Sequence, residues 1–208
     1  MQNNQNYKNR ALASLGGKWA EGIIATLILM LIGSVGSIVT LPMAYDAQTL
    51  KMSTQSIFTL LCLPLNWGVA VYFLNLIRNQ DISVVRIFDG YKDFWRIFLA
   101  GLLVVVCELI GIMLLIVPGI IAGLMLSQTC FILKDDPQVS ATDAMKRSME
   151  MMQGHKMELF KLWLSFIGWI ILAVLTCGFG MLFLYPYMYT TLAHYYEDLK
   201  AEKQETVY

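Results

Sequence analysis

The sequence predicts an all-α polytopic membrane protein with six transmembrane helices, arranged as three hairpins with short amphipathic helices leading into them. Three observations carry this reading. Of 208 residues, 57% are hydrophobic and 14% charged, against roughly 25% charged in a soluble domain. Mean hydropathy is +0.59, more apolar surface than a water-soluble fold of this size hides. The apolar residues also gather in runs near the length that crosses a hydrocarbon core, about 30 Å at about 1.5 Å per residue. The same composition excludes a disordered chain and a disulfide scaffold. The 15 basic and 15 acidic residues cancel, which argues against a nucleic-acid partner.

The whole chain, 1–208, reads as a single membrane domain. Span one is expected over 22–42. It is too long for a signal-peptide core, and Ala44-Tyr45-Asp46-Ala47 makes a poor cleavage site, so it is read as retained. Span two covers 56–77. The stretch from Ile97 to Leu133 is nearly continuous, and one helix of that length would run roughly 55 Å, too long for one crossing. Pro118-Gly119 is expected to break it, because proline lacks a donor and glycine permits a turn. That yields spans 95–116 and 118–133. Residues 159–176 and 180–197 repeat the pattern around Thr176-Cys177-Gly178-Phe179-Gly180. Four or five spans with one re-entrant segment is the alternative, because the last three are short.

Orientation follows from the basic residues. With six spans, one side collects Lys8, Arg10 and Lys18; Arg78, Arg86, Lys92 and Arg96; Lys134, Lys146, Arg147, Lys156 and Lys161; and Lys200 and Lys203. Only Lys51 lies opposite. Both termini are therefore expected in the cytoplasm, and any sizeable partner surface with them. Trp19, Trp95 and Trp163 each open an odd-numbered span, at the headgroup level that indole rings favour. Trp67 and Trp169 fall within spans and are expected to pack.

Each hairpin is preceded by a short segment ending in Gly-x-Lys: Gly16-Gly17-Lys18, Gly90-Tyr91-Lys92 and Gly154-His155-Lys156. The spacing suggests a degenerate threefold repeat. The best-defined lead-in helix covers 140–153. Ser140 is an N-cap with Asp143 three residues on. Ala141, Ala144, Met145, Ser148 and Met152 recur at helical spacing, Lys146, Arg147 and Glu150 face elsewhere, and Gly154 suits the helix end. Such a helix lies in the interface plane or against the bundle.

These residues carry a resemblance. Ile132-Leu133-Lys134-Asp135-Asp136-Pro137, then Ala144-Met145 with Ser148, then Met152-Gln153-Gly154-His155-Lys156 and Leu159-Phe160 resemble domain-of-unknown-function family 975. So do Leu164-Ser165-Phe166-Ile167-Gly168-Trp169, Tyr185-Pro186-Tyr187, Pro118-Gly119-Ile120-Ile121, and Leu76-Ile77-Arg78 with Ile87-Phe88-Asp89-Gly90. The resemblance runs from about Asn9 to Leu199 and is most specific from Pro118 to Tyr187. Asp136 stands where the family more often has Asn, a small change for a turn residue. The family is bacterial and multi-spanning with no assigned activity, so the resemblance implies a bacterial cytoplasmic (inner) membrane location and adds little about function.

Enzymatic motifs are missing: the chain has no HExxH, GxSxG or P-loop pattern. Cys62, Cys107, Cys130 and Cys177 sit singly in apolar stretches and read as small buried hydrophobes. No metal or cofactor pattern is present. An interfacial motif is expected at Asp135, Pro137, Gly154, His155 and Lys156. In it Asp135-Asp136-Pro137 reads better as a turn than as a metal site, and His155 as a helix-end residue able to meet a headgroup. His194 lies among Tyr187, Tyr189, Tyr195 and Tyr196, which read as an aromatic belt. Pro64 and Pro186 are placed inside spans, where they would free backbone carbonyls. Gly33, Gly36 and Ser37 in span one, and Gly119 and Gly123 in span four, fit close helix packing.

Glu108 is read as the sole ionisable residue deep in a span. An ionised carboxylate at a helix centre costs at least about 2.5–3.5 kcal/mol, so a neutral acid hydrogen-bonded across helices is the structural expectation. Gly101 and Gly111 share its face. Asn66 is the partner expected at its depth, and Ser165 the second. Two functions stay open. One is a non-enzymatic protein acting through membrane lipids or a membrane-protein partner on the cytoplasmic side. The other is a small-solute or proton-coupled transporter with a midplane site at Asn66 and Glu108, built with Pro64 and Pro186. A continuous cavity reaching Glu108 would separate them.

Overall fold

The computed structural model describes residues 3–40, 58–80, 82–176 and 178–205, with backbone alone at 35–40. Among these, regular structure is helical throughout. α1 (Asn4–Leu15) leads into α2 (Trp19–Thr40) through Gly16-Gly17, where the chain bends by 98° and Gly17 takes φ +77. Only glycine adopts that φ without a steric penalty. α3 (Leu63–Ile77) carries Pro64 in its first turn, where the missing N–H has no helical partner to lose. Pro64 opens α3 and lies inside the apolar stretch Phe58–Ile77, which is also helical at 58–61, so it falls within a span as expected. α3 is the central helix: from Pro64 to Leu76 every residue except Asn66 is buried.

A 3-10 helix (Val84–Tyr91) crosses α3 backbone against backbone. A Cβ on Gly68 would fall 1.8 Å from the Ile87 carbonyl oxygen, and one on Gly90 2.2 Å from that of Pro64. The chain continues as α4 (Phe94–Leu114), α5 (Ile116–Leu126), α6 (Thr129–Asp135) and α7 (Ala141–Met151). It ends with α8 (Lys156–Leu164), α9 (Ile167–Leu175) and α10 (Met181–Glu205).

Among the described residues four stretches are long and apolar enough to cross a membrane: Phe58–Ile77, Phe94–Leu114, Ile116–Asp135 and Lys156–Leu175. The bent pair of α1 with Trp19–Ser34 makes a fifth. Six were expected. α10 is long enough, with 25 residues, but tyrosines and threonines replace aliphatic residues through its middle. Residues 41–42 and 56–57 of the first two expected spans, the loop with Asp46 and Lys51, and Cys177 lie outside the described residues.

The turn after α4 is not at Pro118-Gly119. It is at Leu115, whose backbone is extended at φ -167, ψ 150. Pro118 falls in the first turn of α5, which needs no N–H there. Gly119 instead provides close approach: a Cβ on Gly111 would lie 2.8 Å from the Gly119 Cα, so the chain folds back on itself here. A Cβ on Gly33 would meet nothing within 4 Å among the described residues, so no close helix contact is made there among them. Gly22 makes one, meeting Pro186 of α10 with 3.2 Å to its Cβ. Trp67 is buried as expected, but Trp169 is 53% exposed. It sits with Trp19 and Phe183 along a shallow cleft of about 310 Å³ that α9 is too short to close.

α7 starts as its sequence demands. Ser140 Oγ accepts the Asp143 N–H at 3.1 Å and donates to the Asp143 carboxylate at 2.7 Å. Ala141, Ala144, Met145, Ser148 and the following Met152 are all buried. The three Gly-x-Lys segments precede α2, α4 and α8, yet their glycines differ: Gly154 takes φ +85, whereas Gly90 is needed for contact with Pro64. The core consists of three side-chain clusters centred on α3 and the second half of α10. At the opposite end α4, α5 and α9 leave Met113, Ile116 and Leu175 more than 70% exposed.

Candidate functional site

Two regions gather polar chemistry. The first surrounds Glu108, halfway exposed on α4. Its carboxylate reaches over Gly123 of α5, where a Cβ would stand 3.2 Å from Oε1. It borders a cleft of about 750 Å³ between α5, the α8–α9 stretch and α10. Neither expected partner is beside it. Asn66 is exposed and donates to the Cys62 carbonyl of its own helix at 3.1 Å. Ser165 donates to the Leu162 carbonyl at 2.6 Å, and its own carbonyl accepts from Lys8 Nζ at 2.8 Å. Both side chains are satisfied within their own turn, so no Glu108–Asn66–Ser165 site is assembled.

The second region is a charged belt at the end where α3, α6 and the end of α10 meet. Arg78 donates to both oxygens of Asp135, at 2.6 and 3.0 Å, and through Nε to Glu197 at 2.7 Å. Tyr196 and Lys200 donate to the same Asp135 carboxylate. Asp135 is therefore a junction of α3, α6 and α10, whereas the expected turn role belongs to its neighbour. Asp136 accepts the Gln138 N–H at 3.1 Å and Arg147 at 2.9 Å; the Arg147 guanidinium holds its carboxyl below the ordinary carboxylate range. Pro137 is exposed in that turn. Arg96 donates to the carbonyls of Leu133, Asp136 and Val139, along the end of α6 and the turn that follows it.

The remaining motif residues lie further along the belt. His155 pairs through Nδ1 with Glu158 at 3.2 Å and through Nε2 with Glu202 at 3.3 Å, and its carbonyl accepts from Tyr195 at 3.1 Å. Gly154 is exposed and Lys156, the first residue of α8, is half-buried. Arg10 of α1 pairs with Asp198 at 2.8 Å, and Ser14 with His194 at 2.9 Å. α1 is thereby tied to α10. The sequence placed Arg78 and Arg96 among the topology markers, and Arg78 in the family resemblance, but connected neither Glu197 to Arg78 nor Lys200 to Asp135. Nothing in sequence spacing pairs residues 57 and 119 positions apart.

Among the described residues no cluster of His, Cys, Asp and Glu is placed to hold a metal ion, and Cys62, Cys107 and Cys130 are free thiols. Residues 102–203 match the family model described as protein of unknown function (DUF975). Over that stretch the chain is similar to DUF975, in line with the resemblance read from the sequence. The match takes in Glu108, the Asp135–Pro137 turn, Ser165 and the Gly154-His155-Lys156 motif, while Arg78 and Asn66 precede it. The part of the resemblance before residue 102 lies outside the matched residues. No curated protein and no solved structure matches the chain.

Proposed function

We propose that this chain is a six-span, three-hairpin protein of the bacterial inner membrane, with both termini in the cytoplasm. It has no enzymatic activity and acts through membrane lipids or a membrane-protein partner at its cytoplasmic face. What supports the reading is the segregation of charge. The pairs Arg10–Asp198, Arg78–Asp135, Arg147–Asp136 and His155–Glu202 all lie at the end of the bundle that holds both termini. The turns at Leu115 and at Thr176–Gly180 carry no charged side chain. The positive-inside rule puts the charged end in the cytoplasm, with α10 as the sixth span.

Lipid contact is supported by an aromatic ladder at the same level. Phe88, Tyr91, Phe94 and Phe98 stack in sequence, with centroids 6.5, 6.3 and 5.2 Å apart. Trp95 beside them is 79% exposed, as suits a ring at the headgroups. α7, with its buried inner stripe, lies along this surface and closes the bundle.

The test is impermeant thiol labelling in intact cells of single cysteines placed at Thr49 and Gln138. Thr49 should label at once, and Gln138 only after permeabilisation. Labelling of Gln138 from outside would reverse the proposed orientation. Purification from the native membrane, with bound lipids quantified, should show less retained lipid for Trp95→Ala; unchanged retention argues against lipid contact at the ladder.

A further inference from the structure

The 750 Å³ cleft has a chemistry that the charged belt does not explain. Its volume falls within the roughly 300–1,000 Å³ of small-molecule sites. Phe160, Trp163 and Phe166 line one side, and Tyr185 and Tyr189 another. Among its lining residues no basic side chain occurs, and Glu108 is the one carboxylate. That carboxylate accepts no hydrogen bond and forms no ion pair among the described residues. Two of the lining hydroxyls are committed elsewhere: Ser127 donates to the Leu124 carbonyl at 2.8 Å and Thr191 to that of Tyr187 at 2.7 Å. Glycine at 123 is what leaves the carboxylate room, since a Cβ there would stand 3.2 Å from Oε1.

We infer that this cleft binds a lipophilic monocation, an amine or quaternary ammonium on a hydrophobic body, with its charge at Glu108 and its apolar part against the aromatic wall. Charge complementarity selects this occupant. A carboxylate facing low dielectric without a partner is answered by a cation, and an indole such as that of Trp163 attracts the same charge. An anion meets no basic side chain among the lining residues and faces the Glu108 carboxylate. A hard divalent ion needs six or more oxygens, which one carboxylate among aromatic rings does not supply. The inference goes beyond the preceding proposal and does not depend on which end of the bundle is cytoplasmic.

The experiment compares two ions of the same shape and opposite charge, tetraphenylphosphonium and tetraphenylborate, by equilibrium dialysis against the full chain in lipid nanodiscs. Empty nanodiscs correct for partitioning, and quenching of tryptophan fluorescence reports occupancy near Trp163. The expected result is saturable binding of one phosphonium per chain and no saturable binding of the borate. Glu108→Gln should weaken phosphonium binding at least about tenfold, as loss of a close charge pair does. Trp163→Leu, at a rim position 42% exposed, should weaken it less while the protein stays folded. Charge-blind binding by the unmodified protein overturns the inference without any variant. So does a folded Glu108→Gln protein that keeps full phosphonium affinity, which would leave the carboxyl a neutral packing group.

Discussion

Ser148 of α7 repairs the helix break at Gln128. The Ser148 Oγ accepts the Gln128 backbone N–H at 3.2 Å and gives its own proton to the Met125 carbonyl at 2.7 Å. The two groups it serves are those left without helical partners where α5 ends and α6 begins. Backbone freed at membrane depth is tolerated only where protein satisfies it, and here a single hydroxyl does so in both directions. Ser148 itself is fully buried.

Ser148→Ala should therefore destabilise by about 1–3 kcal/mol, the cost of leaving buried backbone groups unpaired. Thermal unfolding in detergent measures it, with amide exchange expected to accelerate at Gln128. An alanine variant as stable as the parent would show that the break is satisfied some other way.

Asp135→Ala removes the shared acceptor of Arg78, Tyr196 and Lys200. With side chains 15% and 21% exposed for Asp135 and Arg78, the loss should be about 2 kcal/mol or more, short of the 3–5 for a fully buried pair. The double variant with Arg78→Ala should cost clearly less than the two singles summed. Lys92→Ala serves as control: its ammonium is 2.7 Å from Asp89 but 78% exposed, so at most about 0.5 kcal/mol is expected.

Gly119→Ala should lose about 1–3 kcal/mol by overpacking, because its Cβ would stand 2.8 Å from the Ile112 backbone nitrogen. Gly168→Ala, with nothing within 4 Å, should be neutral or gain up to about 1 kcal/mol from helix propensity. Paired unfolding measurements on the two variants check the sign as well as the size.

The start of α7 should loosen in acid. The hydrogen bond from Ser140 holds the Asp143 carboxyl below its ordinary 3.8. A depressed folded-state value means that the stabilisation is present above 3.8 and is lost as pH falls through the folded value. Amide exchange at residues 141–145 should rise between about pH 5 and pH 3, and Ser140→Ala should flatten that dependence. An unchanged profile in the variant would assign it to another group.

How much of this was legible in the sequence can be judged residue by residue. The Ser140 cap and the buried stripe of α7 follow from neighbours within four positions, and these appear as read. Asp135 was read from its neighbours too, as part of a turn, and its true partners stand on α3 and α10. Asn66 and Glu108 were matched by depth alone. Depth sets how far along a helix a residue lies and says nothing about which way it faces, so Asn66 could point outward while Glu108 turned toward Gly123.

The sequence by itself determined the all-helical class, the apolar runs long enough to cross a membrane and the crowding of charge into a few segments, because hydropathy and charge are sums over consecutive residues. Only the tertiary structure decided that the chain turns at Leu115, that Ser148 serves the break at Gln128, and that Glu108 borders an aromatic cleft without a polar partner. Those outcomes depend on which helix faces meet. In a chain this apolar nearly every face is greasy enough to pack, so pattern alone cannot choose among them, and the choice falls to the few glycines that allow contact and the few polar groups that must be satisfied.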